Sequence, residues 1–418
     1  MVMGIQLKGL SIYFLEADVM NFVIFSYHFL PKGDAESFCT TRFCSALARA
    51  GHNVTVVTMD WGRNVSQAVC DFLIDKNLQI VRVPITAKGR PPFWYRLRYI
   101  TDEYGCVDFR NCINVLEEVL KKTDNPILIS RACPWASFIV AWHCRKYAVK
   151  WISHFSDPLS YLSEYDFRTR LLVKMAKFWI RRVLKSADAI SLTCESVKRY
   201  YHDFYGKAFD LATVFVTHHI GNPRLPCYTN YEFGHKTKNI VHIGYLSTGR
   251  GAGLVAQAIT RVNEEGIRCR FYQCGPVDCD VKSIVESSPY MELLSDSGPD
   301  FASAVCAAAD AVLIADQDTE FGYIPFCASK FAYQVFSDKP LIALTRVGST
   351  MEVCASKFPC AGLFWGSFGD VDSLRNAIKS ALVFPIGKID RTGLRLEFDE
   401  TVVAEKFVKD VELVLQKK

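Results

Sequence analysis

Short apolar runs alternate along the chain with segments whose apolar residues recur at helical spacing. Asn21–Ser26 is a continuous apolar run of the kind found in strands that are buried on both faces. Residues 36–50 have apolar positions at helical spacing and stop at Gly51, and residues 53–58 are again strand-like. A strand, a helix and a second strand joined by short turns predict a parallel, doubly wound sheet.

This pattern continues to about residue 216, is absent over residues 221–238, and starts again at residue 239. We therefore predict an α/β protein made of two tandem Rossmann-like, doubly wound domains that face each other across a cleft. A length of 418 residues suits two cores of about 200 residues each. The predicted units are a first domain over 20–224, a linker over 225–238, a second domain over 239–400, and a C-terminal helix over 401–418 that could pack back toward the first domain.

Composition excludes several classes of protein. Half of the residues are hydrophobic and 22% are charged, which is typical of globular domains and not of disordered chains. The apolar start of the chain is interrupted by Lys8, Glu16 and Asp18, so we expect neither a signal peptide nor a spanning helix, and residues 1–19 could be an appended start or an amphipathic lead-in. The 16 cysteines form no Cys-x-x-Cys pair, which favours buried free thiols in a reducing cytoplasm.

The net charge of +5 is unevenly distributed. Residues 21–224 contain 28 Lys and Arg against 18 Asp and Glu, whereas residues 225–418 contain 20 against 24. The first half is therefore expected to meet an anionic partner. A helix predicted over 168–185 carries Arg170, Lys174, Lys177 and Arg181 on one stripe, and residues 90–99 interleave basic and aromatic residues. Both features suit an anionic membrane surface; a solvated basic face is the alternative.

Two predicted strands of the second domain end next to residues that suit a phosphate. Gly249, Gly251 and Gly253 surround Arg250 after the strand that begins at residue 239, so the backbone can approach an anion closely. After the strand at 311–315, Lys330 lies at the start of a predicted helix, where a cation opposes the helix dipole unless an anion is bound. A plain turn and a solvated lysine are the alternatives.

Candidate acid–base chemistry lies in the first domain. Asp157 follows a predicted strand and precedes Pro158, so its carboxylate could deprotonate an acceptor hydroxyl; an Asp-Pro turn is the alternative. His154 could partner Asp157, or it could be structural. Asp34 and Glu36, beside Gly33, form a second acidic patch, although Glu36 also suits the first turn of a helix. The sequence shows no convincing set of metal ligands, including at His218-His219 and Asp278-Cys-Asp280.

The order of these motifs resembles the GT-B glycosyltransferases from about residue 20 onward. The segments that carry the resemblance are residues 29–37, 47–58, 151–158, 186–193, 220–223, 242–251 and 329–340. Many retaining members have an arginine where this chain has Tyr245 and a ribose-binding glutamate where it has Tyr333. The lysine of Ser329-Lys330 with a nearby glutamine, together with the segment around Asp157, also resembles the inverting glucuronosyltransferases of xanthan-type polysaccharide assembly.

The resemblance implies a nucleotide-sugar donor, most simply a UDP-sugar, bound without a metal or other cofactor. It places the donor in the second domain and the acceptor in the first. The implied donor-binding residues are Gly244, Tyr245, Gly249, Arg250, Gly251, Ser329, Lys330, Tyr333 and Gln334, the acceptor-binding residues are Gly33, Asp34 and Glu36, and the catalytic residues are Asp157 and His154. Ser329 is expected to be the N-cap of its helix, and Tyr333 could meet the ribose or pack in the core.

We therefore expect a metal-independent transferase that moves a sugar to a lipid-linked or saccharide acceptor in surface polysaccharide or glycoconjugate synthesis. A nucleotide-sugar epimerase of the same fold and a non-catalytic GT-B-like partner protein are the alternatives. The protein is expected in the cytoplasm, in contact with the inner face of the plasma membrane if the basic helix binds lipid. Nucleic acid is not an expected partner, because no recognised binding module is present.

Overall fold

The computed structural model describes residues 4–7, 10–13, 19–85, 109–132, 136–158, 167–226, 230–294 and 298–417. The basic and aromatic segment at 90–99 lies outside this part of the chain. So do Pro134, where the sequence predicts the start of a helix, and residues 159–160, which belong to the segment around Asp157. The same holds for the side chains of residues 167–173 and 175, although their backbone is described as helix.

Residues 4–216 contain a two-stranded hairpin and a seven-stranded parallel sheet. The hairpin is antiparallel, and the sheet has the order β5-β4-β3-β6-β7-β8-β9. The strands are β1 (Gly4–Leu7), β2 (Leu10–Tyr13), β3 (Asn21–Ser26), β4 (Asn53–Asp60), β5 (Gln79–Pro84), β6 (Ile127–Ala132), β7 (Lys150–Phe155), β8 (Ala189–Leu192) and β9 (Val214–Val216). The helices are α1 (Ala35–Arg49), α2 (Gln67–Leu73), α3 (Phe109–Lys122), α4 (Ala136–Cys144), α5 (Phe167–Ser186), α6 (Glu195–Tyr205) and α7 (Lys207–Asp210).

Residues 238–383 form a six-stranded parallel sheet in the order β12-β11-β10-β13-β14-β15 with its own helices. The strands are β10 (Lys238–Ile243), β11 (Cys269–Cys274), β12 (Met291–Leu293), β13 (Ala311–Ala315), β14 (Leu341–Thr345) and β15 (Leu363–Ser367). The helices are α8 (Ala252–Glu264), α9 (Cys279–Ser287), α10 (Pro299–Ala308), α11 (Ser329–Val335), α12 (Thr350–Lys357) and α13 (Val371–Val383). The order reverses direction at β10 and β13, and ligands of doubly wound sheets bind at such a switch point.

The last two helices, α14 (Thr392–Leu396) and α15 (Glu400–Gln416), follow the second sheet. Helix α15 packs on the first domain, where the Phe407 ring meets Phe43 of α1 edge-on at 4.9 Å and Phe22 of β3 at 6.1 Å between centroids. The chain therefore crosses between the domains twice. The crossings lie side by side, because the Gly221 amide donates to the Phe398 carbonyl at 2.9 Å and the Asn222 side chain donates to Asp399 at 2.9 Å.

The predicted fold class is confirmed, because both sheets are parallel and interleaved with helices. The strand predicted over 311–315 matches β13 fully, and the predictions over 53–58 and 168–185 lie within two residues of the bounds of β4 and α5. The sequence did not predict the β1–β2 hairpin, α2, α7, α9, β12, α12, α14 or β15, all of which are short. The first strand of the second sheet, β10, begins at Lys238, one residue earlier than predicted.

Candidate active site

Lys330 lies directly against the backbone of the loop that follows β10. A Cβ atom built on Gly244 would lie 2.1 Å from Lys330 Nζ, and the φ angle of Gly244 is +98°. Only glycine accommodates both the backbone conformation and the contact. The two predicted donor segments are therefore brought together at the carboxyl edge of the second sheet.

The following loop is shaped by two further glycines. Thr248–Arg250 is a 3-10 turn, and Gly251 (φ +75°) begins α8. A Cβ atom on Gly249 would lie 2.1 Å from Gln317 Nε2, and one on Gly251 would lie 2.6 Å from Leu344 Cδ2. Because the first N–H groups of a helix have no partner inside it, the start of α8 is suited to an anion. Tyr245, in the same loop, is 46% exposed.

Arg250 and Lys330 place two positive charges in the same cleft. Arg250 Nη1 donates to the Ala315 carbonyl at 3.0 Å, while its Nε is buried with no hydrogen-bond partner. Burial, together with the charge of Arg250, lowers the pKa of Lys330 to about 8. Burial also lowers the pKa of His242 to about 3, with Lys330 and Arg250 acting in the same direction. Arg250 and Lys330 therefore form a positively charged region that favours an anion.

Asp316 follows β13 of the second sheet and lies near Arg250. Burial raises its pKa to about 7, although the Thr345 hydroxyl, which donates at 2.5 Å, and the charge of Arg250 lower it. Asp316 Oδ1 is buried without a partner. Asp316 is therefore only partly ionised near neutral pH, and it neutralises Arg250 only in part.

Asp157 faces Arg250 from the first domain. Its loop is held by Thr193 Oγ1, which donates to the Ser156 carbonyl at 2.9 Å, and by the Tyr201 hydroxyl, which donates to the Asp157 carbonyl at 3.0 Å. The Asp157 side chain is exposed within the cleft. The protein around the carboxylate nevertheless displaces part of its solvating water, and this desolvation raises the pKa of Asp157, while the charges of His219 and Arg250 lower the pKa by less. Asp157 is thus a carboxylate with a raised pKa at the boundary of the two domains, as a general base requires.

Glu36 lies beside Asp157 and is largely buried. A glutamate that served only the first turn of a helix would be exposed to solvent. Its Oε1 accepts from Ser156 Oγ at 3.0 Å and lies 3.5 Å from Arg131 Nη2. Burial raises the pKa of Glu36 to about 8; Arg131 lowers it and Asp157 raises it. The structure therefore brings Glu36 into the cleft next to the candidate base.

Asp34 is occupied as a cap and an ion pair. Its Oδ1 accepts from the Ser37 amide at 2.8 Å, and its Oδ2 lies 2.6 Å from His28 Nδ1 and 2.9 Å from Lys32 Nζ. Burial raises its pKa, but the bonds to His28, Lys32 and Ser37 lower the pKa below its ordinary value. Gly33 (φ +86°) turns the chain against Val65. Both residues shape the start of α1, and we see no free carboxylate at Asp34.

His154 lies within the first sheet. It is 2% exposed, its Nδ1 pairs with Ser191 Oγ at 2.9 Å, and its ring stacks on Phe43. Burial lowers its pKa well below the ordinary value, and Arg131 and His219 lower it further. The structure thus favours the structural alternative for His154. The histidine that faces Asp157 is His219, which sequence reasoning considered only as a metal ligand.

Helix α11 contributes Lys330 to the cleft, but its other three predicted residues, Ser329, Tyr333 and Gln334, have different surroundings. The N-cap is Ala328, so the N-cap expected at Ser329 is wrong; the Ser329 side chain instead hydrogen-bonds Cys39 of α1. Tyr333 lies between two arginine side chains at the domain boundary. Gln334 is 3% exposed, and its Nε2 lies 3.3 Å from Cys306 Sγ in the core.

Among the residues that the structure describes, no group of three or more His, Cys, Asp and Glu side chains is arranged to hold a metal ion. The cysteines in this part of the chain are free, and all of them except Cys279 and Cys360 are buried. No helix in the described ranges is long and apolar enough to cross a membrane.

Comparisons with known proteins agree with the two-domain fold. Residues 37–215 match the family model of the Glycosyl transferase 4-like domain. No curated protein sequence matches the chain. Among solved structures, sucrose-phosphate synthase from Thermosynechococcus elongatus has a TM-score of 0.67 at 13% identity, covering 96% of this chain and 100% of its own.

Two further structures have the same architecture. A mutant of S. aureus TarM in complex with fondaparinux, alpha-GlcNAc-glycerol and UDP has a TM-score of 0.62 at 10% identity, covering 95% of this chain and 100% of its own. An alpha,alpha-trehalose-phosphate synthase (UDP-forming) from Burkholderia vietnamiensis has a TM-score of 0.58 at 12% identity, covering 94% and 100%. The protein has the GT-B fold. The expected fold class is confirmed, and the match over residues 37–215 supports the expected enzyme class, whereas the roles of the site residues stay predictions.

Proposed function

We propose that this glycosyltransferase moves a sugar from a UDP-sugar to a saccharide or lipid-linked acceptor without a metal ion. The observation that carries the proposal is the pair of cations, Arg250 and Lys330, beside the start of α8. Departure of the nucleoside diphosphate requires stabilisation of developing negative charge, which two cations and backbone N–H groups supply. Two of the structural neighbours carry UDP in their description, which supports UDP as the nucleotide.

Asp157 is proposed as the base that removes the proton of the acceptor hydroxyl. The acceptor oxygen then attacks the anomeric carbon, the bond to the diphosphate breaks, and UDP leaves toward Arg250 and Lys330. Displacement in a single step inverts the anomeric centre. The loop bonds from Thr193 and Tyr201 keep the Asp157 carboxylate in place, and Glu36, which shares Ser156 with that loop, is proposed to bind the acceptor.

The test is a UDP titration together with a transfer assay on Lys330→Ala and Asp157→Ala. We expect Lys330→Ala to weaken UDP binding, and Asp157→Ala to bind UDP but transfer no sugar. Lys282→Ala is the matched control, because Lys282 is an exposed lysine of α9 in the same domain. Unchanged UDP affinity in Lys330→Ala would remove the proposed donor site. Conversion of the UDP-sugar without any acceptor would point to an epimerase instead.

We further propose that the acceptor is reached at an anionic membrane surface on the cytoplasmic side, in surface polysaccharide or glycoconjugate synthesis. Helix α5 exposes Lys174 and Arg181, and Phe178 on the same helix is 52% exposed. Basic side chains with exposed aromatic rings suit anionic lipid headgroups. Co-sedimentation with anionic vesicles, but not with neutral ones, is expected for the wild type and should be reduced in a Lys174→Ala/Phe178→Ala double variant. Equal sedimentation of the two proteins would refute the membrane contact.

A further inference from the structure

A buried glutamine joins the two loops that follow β10 and β11. Gln273 Nε2 donates to the Gly244 carbonyl at 2.6 Å and to the Gly275 carbonyl at 3.2 Å. The Gly244 amide in turn donates to the Cys274 carbonyl at 2.7 Å. Gly244 is therefore bonded through both its amide and its carbonyl to the end of the neighbouring strand.

His242, which is paired with Gln273 in the register of β10 and β11, orients this side-chain amide. Carbonyl oxygens only accept hydrogen bonds, so the atom of Gln273 that faces the two glycine carbonyls must be the nitrogen. Its oxygen then faces His242 Nδ1 at 2.8 Å, and Nδ1 must donate. Burial and the charge of Lys330 lower the pKa of His242 to about 3, so the ring is neutral with its proton on Nδ1.

The backbone of Gly244 lies between this network and Lys330. A Cβ atom on Gly244 would lie 2.1 Å from Lys330 Nζ and 2.3 Å from its Cε, so the end of the lysine side chain rests directly on the glycine. On the other side, a Cβ atom on Gly275 would lie 2.7 Å from the Gly244 carbonyl oxygen. Any shift of Gly244 would therefore change the space that the ammonium group occupies.

The opposite end of β11 has a side-chain amide with the same bonding but no contact with the cleft residues. Asn263 Nδ2 donates to the carbonyls of Ile259 at 2.9 Å and Cys269 at 3.0 Å, and its Oδ1 accepts from the Cys269 amide at 3.1 Å. Both amides join β11 to a neighbouring segment. Gln273 differs because it lies at the carboxyl edge of the sheet, where Lys330 meets the loop after β10.

We propose that Gln273 and His242 are positioning residues of the donor site, which hold the Gly244 carbonyl and thereby the ammonium group of Lys330. The inference rests on the proposed role of Lys330 at the diphosphate. Buried side chains that are hydrogen-bonded to one another form a rigid network, so the loop is ordered before the nucleotide arrives. Binding then does not have to order the loop, and the affinity for UDP is higher.

UDP titrations of the full-length chain test whether Gln273 acts through Lys330. Gln273→Met removes both bonds to the carbonyls at nearly constant volume, and it should weaken UDP binding about five- to thirtyfold. In the Lys330→Ala background the same substitution should cause less than about a twofold further loss, because the group that it positions is already absent. Asn263→Leu is the matched control: it removes the same kind of bonds and should leave UDP affinity unchanged.

His242 allows an independent measurement. A long-range proton–nitrogen correlation spectrum of the wild type should show His242 neutral, with the proton on Nδ1, from about pH 5 to about pH 8. The signal is assigned by its loss in His242→Asn. Because the amide nitrogen of asparagine can donate from close to the position of histidine Nδ1, His242→Asn should recover most of the UDP affinity that His242→Leu loses.

Failure of this inference is distinguishable from failure of the proposed function. A wild type that does not bind UDP, or a Lys330→Ala variant that binds it equally well, removes the donor site and the inference with it. If Lys330→Ala loses UDP while Gln273→Met binds it like the wild type, or if the double variant shows the full additional loss, only the positioning role is overturned. A proton on Nε2 of His242 also overturns it, and this measurement does not require any Gln273 variant to fold.

Discussion

The contact between Gly244 and Lys330 gives a direct test of the donor site through the substitution Gly244→Ala. The added Cβ would lie 2.1 Å from Lys330 Nζ and 2.3 Å from its Cε, so the ammonium group has to move away from the loop. The lysine side chain is flexible at this end, so the protein should still fold. What should be lost is the position of the charge beside the start of α8.

The expected magnitudes follow from two separate effects. Forcing alanine into the φ of +98° costs about 1–2 kcal/mol of folding free energy. Displacing Lys330 removes a charge-assisted contact to phosphate worth about 1.5–3 kcal/mol, which corresponds to about a 10- to 150-fold rise in the Kd for UDP. The first effect appears in thermal unfolding and the second in the UDP titration.

Two glycines provide controls for these two effects. Gly266 has a φ of +93° and open space where a Cβ would be, so Gly266→Ala should carry the same backbone strain and bind UDP normally. Gly253 lies in the first turn of α8 with open space and no positive φ, so Gly253→Ala should change neither property adversely. Equal UDP affinities in Gly244→Ala and Gly266→Ala would refute the placement of Lys330 at the phosphate.

Three more predictions concern the same cleft and the crossing beside it. Asp157→Asn should lower the rate of sugar transfer by about 10²- to 10⁴-fold while leaving UDP affinity unchanged or stronger; transfer at the wild-type rate would exclude Asp157 as the base. The pKa of Lys330 is lowered to about 8, so the lysine is mostly charged below that pH and mostly neutral above it. UDP binding should therefore be strongest below pH 8 and weaken about tenfold as the pH rises to 9.5. Lys330→Arg, which stays charged, should flatten this profile, and an equally steep profile would contradict the assignment. Gly221→Ala should reduce stability by about 3 kcal/mol or more, because its Cβ would lie 2.1 Å from the Ala332 carbonyl oxygen; Gly234→Ala, in open space, is the control for thermal unfolding.

The fold could be predicted because its signals are local. The apolar run of β3 and the helical spacing of α1 each fix one element, and repetition of that unit fixes the class of sheet. Elements such as β15 (Leu-Phe-Trp-Gly-Ser) escaped prediction because five residues show too little periodicity, and their strand state depends on pairing with β14.

The site could be predicted only in part, because it depends on which side chains meet across the cleft. Lys330 and Arg250 could be singled out as candidates because glycine loops and strand ends mark such positions in the sequence, and their roles stay predictions. His219 and Arg131 were missed because nothing near them in sequence shows that they face Glu36 and Asp157. Gln334 lies in the core, and its position on the helix could not show this, because the same helical spacing suits a core residue and a ligand contact equally well.

The packing of α15 on the first domain has a consequence for the synthesis of the chain. Phe407 and its apolar neighbours Val403, Val411 and Val414 complete a cluster whose other members include Phe22 and Phe43. That cluster stays incomplete on the ribosome until the whole second domain has been translated. At about 5–20 residues per second, the nascent first domain exposes this apolar face for roughly 10–40 s, a period in which chaperones have access to it.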